Sequence, residues 1–100
     1  MKKYDQARQL DEYVIANWPD SDFAVWAQMD IVEFSADRGN QQASDAALNK
    51  LATNYAGHPL NAPALFNVAI HYQQTNKLDK ARQVHKYIAA NLSKDLPETM

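Results

Sequence analysis

Leu65-Phe66-Asn67-Val68-Ala69-Ile70-His71-Tyr72, followed after a few residues by Asn76-Lys77-Leu78-Asp79-Lys80-Ala81-Arg82-Gln83-Val84-His85, is the stretch whose reading decides the fold. In its first half Leu65, Val68, Ala69 and Tyr72 recur at spacings of three and four. In its second half Leu78, Ala81, Val84, His85, Ile88 and Leu92 do the same. That is the spacing of one buried helix face, and no strand-like alternation competes with it. The link between the halves is too short for anything but antiparallel neighbours.

Working outward, a shift of 37 residues lays the chain on itself. Asn17, Asn54 and Asn91 coincide, as do Trp18, Tyr55 and Leu92, and Val14, Leu51 and Ile88. The small residues Ala7, Ser44 and Ala81 fall together, and so do Leu10, Ala47 and Val84. Segments of a second kind lie between, about 22–38 and 61–76. There Ile31 meets Val68, Val32 meets Ala69 and Gly39 meets Asn76. The expected order is therefore five helices of two alternating kinds, B-A-B-A-B, in an all-α chain. Asp20, Ser21 and Asp22 suit the start of the second helix, by capping and by negative charge at its positive end. Gly39 suits a left-handed residue ending that helix. Asn61 is placed to cap the fourth helix, with Pro63 in its first turn. Pro19 and Pro59 fall in the two B-to-A connections.

Composition narrows the function. One hundred residues with 46% hydrophobic and 22% charged content describe one globular domain. Ten bases against twelve acids give a net charge of −2, which argues against a nucleic-acid partner. The absence of cysteine excludes disulfides and thiolate metal sites. No apolar run reaches the length of a membrane span, and the start lacks the apolar core of a signal peptide. The expectation is a soluble chain without membrane insertion, cytoplasmic or, if trimmed from a longer protein, periplasmic. No phosphate loop, His-Glu-x-x-His or nucleophile elbow occurs, so no enzyme and no cofactor is expected.

These residues resemble the tetratricopeptide repeat, whose signature of about 34 residues runs large, apolar-small, Tyr, Ala, aromatic, Pro. The last repeat matches as Leu65-x-x-Val68-Ala69-x-x-Tyr72 and Ala81-x-x-x-His85, with Asn76 to Ala81 similar to the family's inter-helix turn. Ala7 and Pro19 supply the spacing to the closing proline. The extra length falls around Ala56-Gly57-His58, in a surface connection. In the middle repeat Gln28 stands for the large residue and Ser35 for the Tyr. The segment Asn17-Trp18-Pro19-Asp20-Ser21 is similar to repeats common in bacterial envelope proteins. The resemblance implies antiparallel pairs stacked as a short right-handed solenoid over residues 1–92, with 93–100 a flexible tail. It also implies that small side chains at Ala7, Ala69 and Ala81 allow close approach while Tyr72, Ile88 and Leu92 fill gaps.

For function the resemblance implies a groove lined by the A helices. Its candidates are Trp26, Met29, Asp30, Glu33 and Asp37 in the middle repeat, and Phe66, Asn67, Ile70, Gln73 and Gln74 in the last. Such a surface, apolar with an acidic and amide rim, suits a peptide or protein partner with apolar knobs and some basic character. The other reading makes Trp26 and Phe66 core residues. Met29 and Phe66 stand where chaperone-tail binders of the family place a clamp Lys, and Asn67 alone is insufficient, so acidic chaperone tails are not expected there. Asp30, Glu33 and Asp37 share a face and read either as that acidic rim or as a solvated surface. His71 and His85 read either as a metal site or pH switch, or as two partly buried histidines with backbone or water partners. A metal site normally needs three or four ligands, which favours the second, and no metal is expected.

Charge is uneven. Residues 18–48 carry six acids and one base, and residues 77–100 five bases and three acids. That asymmetry suits either head-to-tail stacking or a plain solvated surface. The chain opens on a B helix without an A partner, and solenoid ends normally carry a polar cap. Tyr4, Leu10 and Val14 are thus expected to need cover from further repeats, another subunit or a rearranged terminus. Self-association through uncapped ends is the alternative to peptide binding.

Overall fold

The computed structural model describes residues 2–91. It contains five helices and, among the described residues, no strand. They are α1 (Lys2–Asn17), α2 (Asp22–Asp37), α3 (Gln41–Asn54), α4 (Asn61–Gln74) and α5 (Leu78–Asn91). Each expected segment is one helix. The side chain of Tyr4, the packing role of Leu92 and the tail 93–100 lie outside the described residues. The chain divides into two compact units, Met1–Asn61 with α1, α2 and α3, and a second from Ala62 with α4 and α5.

The punctuation works as its chemistry dictates. Ser21 caps α2: its hydroxyl accepts from the Ala24 amide at 3.1 Å and donates to the Trp18 carbonyl at 2.7 Å. Asn40 caps α3 in the same way, accepting from the Ala43 amide at 3.1 Å. Gly39 has φ +79° and Asn76 φ +64°, the left-handed region. Both sit in the same helix-ending motif. The Gly39 amide donates to Ala36 and the Asn40 amide to Ser35; the Asn76 amide donates to Gln73 and the Lys77 amide to Tyr72. The two A helices thus stop by one device at one repeat position, once with glycine and once with asparagine, the other residue that tolerates this conformation.

In the first unit α2 is the central helix. Ala24, Val25, Ala27, Gln28, Ile31, Val32, Ser35 and Ala36 are buried and cover more than half its circumference. Two buried hydrogen bonds fix its register against α3. Gln28 Nε2 donates to the Ala47 carbonyl at 3.0 Å, and the Ser44 hydroxyl donates to the Val32 carbonyl at 2.7 Å. As one index rises by four the other falls by three, so the helices are antiparallel. Gln28 and Ser44 are therefore satisfied rather than misplaced in this core. Residues 55–61 fold back on α3. His58 accepts from the Leu60 amide at Nδ1, so its Nε2 carries the proton and meets the Asp22 carboxylate at 3.2 Å. Asn61 Nδ2 donates to the Leu51 carbonyl at 2.9 Å. In the second unit Leu65, Val68, Ala69 and Tyr72 of α4 and Ala81, Val84 and Ile88 of α5 are buried, as their spacing predicts.

Several expectations need correction. Leu78 was expected in the α5 core and is 52% exposed, because it is the first residue of the helix, where the chain has just left the turn. His85 is also exposed, packing its ring edge against Phe66 at 5.8 Å between centroids. Leu10, which shares a column with Ala47 and Val84 and was expected to need cover, is 63% exposed. Asn61 does not use its side-chain oxygen as a cap: Oδ1 is buried without a hydrogen-bond partner, and the amide nitrogen ties the chain to α3 instead. His58 is no free loop residue; half-buried, it anchors the connection to the first turn of α2.

Candidate functional site

The candidate residues of α2 lie on one face. With 3.6 residues per turn, Trp26, Met29, Asp30, Glu33 and Asp37 point away from the buried arc centred on Gln28, Ile31 and Ser35. Trp26, Met29, Asp30 and Glu33 are half-buried and Asp37 is exposed. An indole and a thioether thus stand beside three carboxylates. Glu33 and Asp37 each make further polar contacts. In α4, Phe66 and Ile70 are half-buried, and Asn67, Gln73 and Gln74 are exposed. Phe66 meets the His85 ring in a T-shaped arrangement. The two sets belong to different units, each a coherent face of its own helix.

Asp30 has a neighbour that the periodicity does not single out. Asp11 of α1 approaches it, and its Oδ2 is buried without a hydrogen-bond partner. Burial, and then the charge of Asp30, push the Asp11 carboxyl up to about 6. Burial also raises Asp30. A carboxylate deprived of water disfavours its charged form, and a like charge nearby adds to that. The signal lay in the repeat: Asp11 occupies the column of Leu48 and His85, where the other two repeats place no acid. Among the described residues no three or more His, Asp or Glu side chains gather in a way that could hold a metal ion.

Two clefts open beside α2, over its buried arc. A cleft of about 490 Å³ is lined by Arg8, Glu12 and Ile15 of α1, Gln28 and Ile31 of α2, and Ala43, Ala46, Ala47 and Lys50 of α3, among others. A second cleft of about 350 Å³ shares Arg8 and adds Phe34, Ser35, Arg38 and Asn40. Exposed apolar side chains form a third feature. Tyr13 and Trp18 meet edge to face at 5.8 Å while remaining exposed, and Phe23 is 75% exposed. Among the described residues no helix is long and apolar enough to cross a membrane.

Comparison with protein-family models, with curated proteins and with solved structures finds no match. The functional reading therefore rests on this chain's own residues.

Proposed function

We propose that this protein is a non-catalytic interaction scaffold of the tetratricopeptide type, its helix pairs stacked as a short solenoid, and that it binds a peptide or protein partner. The observation that carries the reading is the outward face of α2. Half-buried Trp26 and Met29 offer apolar contact, and Glu33 and Asp37 supply an acidic rim, with Asp30 at its edge against Asp11. Aromatic anchors beside polar rims are where interface energy concentrates. The shared helix-ending motif at Gly39 and Asn76 supports the repeat relation behind it. The partner that fits is a peptide with apolar side chains and basic character.

The test is selection from a displayed random-peptide library against the whole chain, repeated on Trp26→Ala and Glu33→Lys variants. The expected result is a basic, apolar consensus that both variants lose. Enrichment of the same peptides by wild type and variants would remove this face from the reading.

A second reading is favoured by Leu10, Tyr13, Trp18 and Phe23, apolar and exposed on and after α1. Exposed apolar clusters of this kind mark association surfaces, and here the reading is self-assembly. Light scattering across a hundredfold concentration range separates the two. Growth of mass with concentration supports assembly; a constant monomer leaves the α2 face as the surface to pursue.

A further inference from the structure

α1 carries two stripes of side chains, and one of them lies open. Ala7, Asp11, Val14 and Ile15 are half-buried on the side toward α2, where Asp11 approaches Asp30. Beside them run Gln6, Leu10, Tyr13 and Asn17, at spacings of four, three and four. All four are exposed, Leu10 by 63% and Tyr13 by 57%. Alternating steps of three and four mark the narrow seam along which two helices pack on each other. The same column is closed in α3: Ala47, which stands where Leu10 does, is sealed by antiparallel α2. Leu10 has no such cover.

The character of the seam names its partner. Read in either direction it runs amide, apolar, apolar, amide. Laid antiparallel on a second copy, about a twofold axis near residues 11 and 12, Leu10 meets Tyr13 of the second copy and Gln6 meets Asn17 of the second copy. Each contact is then made twice, as a twofold interface requires. The carboxamides offer both donors and acceptors to each other, and polar residues in a helix seam fix its register. Charge stays out of the way. Arg8 and Glu12, joined at 2.9 Å, lie on the far side of the helix, and the flanking Gln9 and Ala16 are uncharged. A charged partner would find nothing to pair with there, whereas an identical seam brings neither repulsion nor an unpaired charge. Tyr13 is already braced edge to face by Trp18 at 5.8 Å, which lowers the cost of ordering it in an interface.

We infer that the seam of Gln6, Leu10, Tyr13 and Asn17 on α1 is a homodimer interface, through which two copies of this chain pair antiparallel. The inference rests on the self-assembly reading above and gives it a surface, a symmetry and a closed end-point. One pair of helices buries less than the roughly 1,200–2,000 Å² of a stable interface, so the dimer is expected to be weak and reversible.

The test follows the mass of the whole chain by light scattering over a hundredfold range of concentration. Wild type is expected to rise from monomer and level off at dimer. Leu10→Lys is expected to weaken association roughly tenfold or more, with helix content by circular dichroism unchanged because the site is exposed. Phe23→Ser, off the seam although Phe23 is 75% exposed, is expected to leave association as it is. The chain has no cysteine, so introduced thiols report the register. On oxidation, Leu10→Cys mixed with Tyr13→Cys is expected to give the mixed disulfide in excess over either self-pair. Should Leu10→Lys lose helix, the disulfide comparison still decides. A wild type that stays monomeric throughout overturns the self-assembly reading and this inference together. Growth that Leu10→Lys leaves in place, growth that Phe23→Ser removes, growth past the dimer, or self-pairs in excess of the mixed disulfide overturns this inference alone.

Discussion

Leu10 of α1 and Ala47 of α3 occupy the same position of the repeat, yet Leu10 is 63% exposed and Ala47 5%. Trp18 and Tyr55 form another such pair, 54% against 8%. Val14 is half-buried where Leu51 is fully buried, and Ala7 half-buried where Ser44 is sealed. All eight residues belong to one compact unit. The sequence pattern is shared; the cover is not. α3 is pinned to α2 by two buried hydrogen bonds, and residues 55–61 fold back on its last turn through Asn61. The contact of α1 with α2 instead contains a carboxylate pair, Asp11 and Asp30, with one oxygen unsatisfied. A repeat position thus specifies which side chains can be core, and the neighbours decide which are.

The largest expected effect sharpens that comparison directly. Leu51→Ala is expected to cost about 2–5 kcal/mol, the range for emptying a fully buried aliphatic site. Val14→Ala, in the same column, is expected to cost less, about 1 kcal/mol, since its side chain is not sealed from water. Urea unfolding of both variants checks this, and equal losses would break the comparison. Next come Tyr55→Ala and Trp18→Ala. The first is expected to lose about 3 kcal/mol and the second about 0.5 kcal/mol, although tryptophan is the larger residue. A Trp18 loss matching that of Tyr55 would mean that α1 is covered in solution.

A smaller effect concerns the α1–α2 contact. The Asp11 carboxyl lies near 6 in the folded chain against an ordinary 3.8, so the folded state binds its proton more tightly than the unfolded state does. Its contribution to stability is therefore present at low pH and is lost as pH rises from about 4 through about 6. After solvent screening at this partly exposed site, the loss is about 1 kcal/mol. Asp11→Asn is expected to be more stable than wild type by that amount at neutral pH and equal to it below pH 4, as thermal melts across pH would show. An unchanged difference between the two proteins at all pH values would remove the carboxylate repulsion as a cause of the weaker contact. The smallest effect separates the two helix ends. Gly39→Ala forces a side chain into the left-handed region and is expected to cost about 1 kcal/mol, whereas Gly39→Asn, the residue used at position 76, is expected to cost about half as much.

Much of the helical layout was legible because it is local. Helix spacing, the Ser21 cap and the left-handed stop at Gly39 depend on neighbours a few residues away, and the buried face of α4 follows its pattern closely. The exposure of Leu78 was not legible, since periodicity names a face without saying whether anything covers it. The candidate face of α2 came from the resemblance to the tetratricopeptide repeat. Asp11 and His58 could not be singled out, because their partners Asp30 and Asp22 lie nineteen and thirty-six residues away.

By itself, then, the sequence determined five helices and their order, consequences of backbone hydrogen bonding, capping and the period of 3.6. Only the tertiary structure decided that Gln28 and Ser44 are satisfied core residues, that Asp11 faces Asp30, and that clefts open beside α2. Those outcomes depend on which residues distant in the chain share a dielectric and a volume, and a one-dimensional pattern does not carry that information.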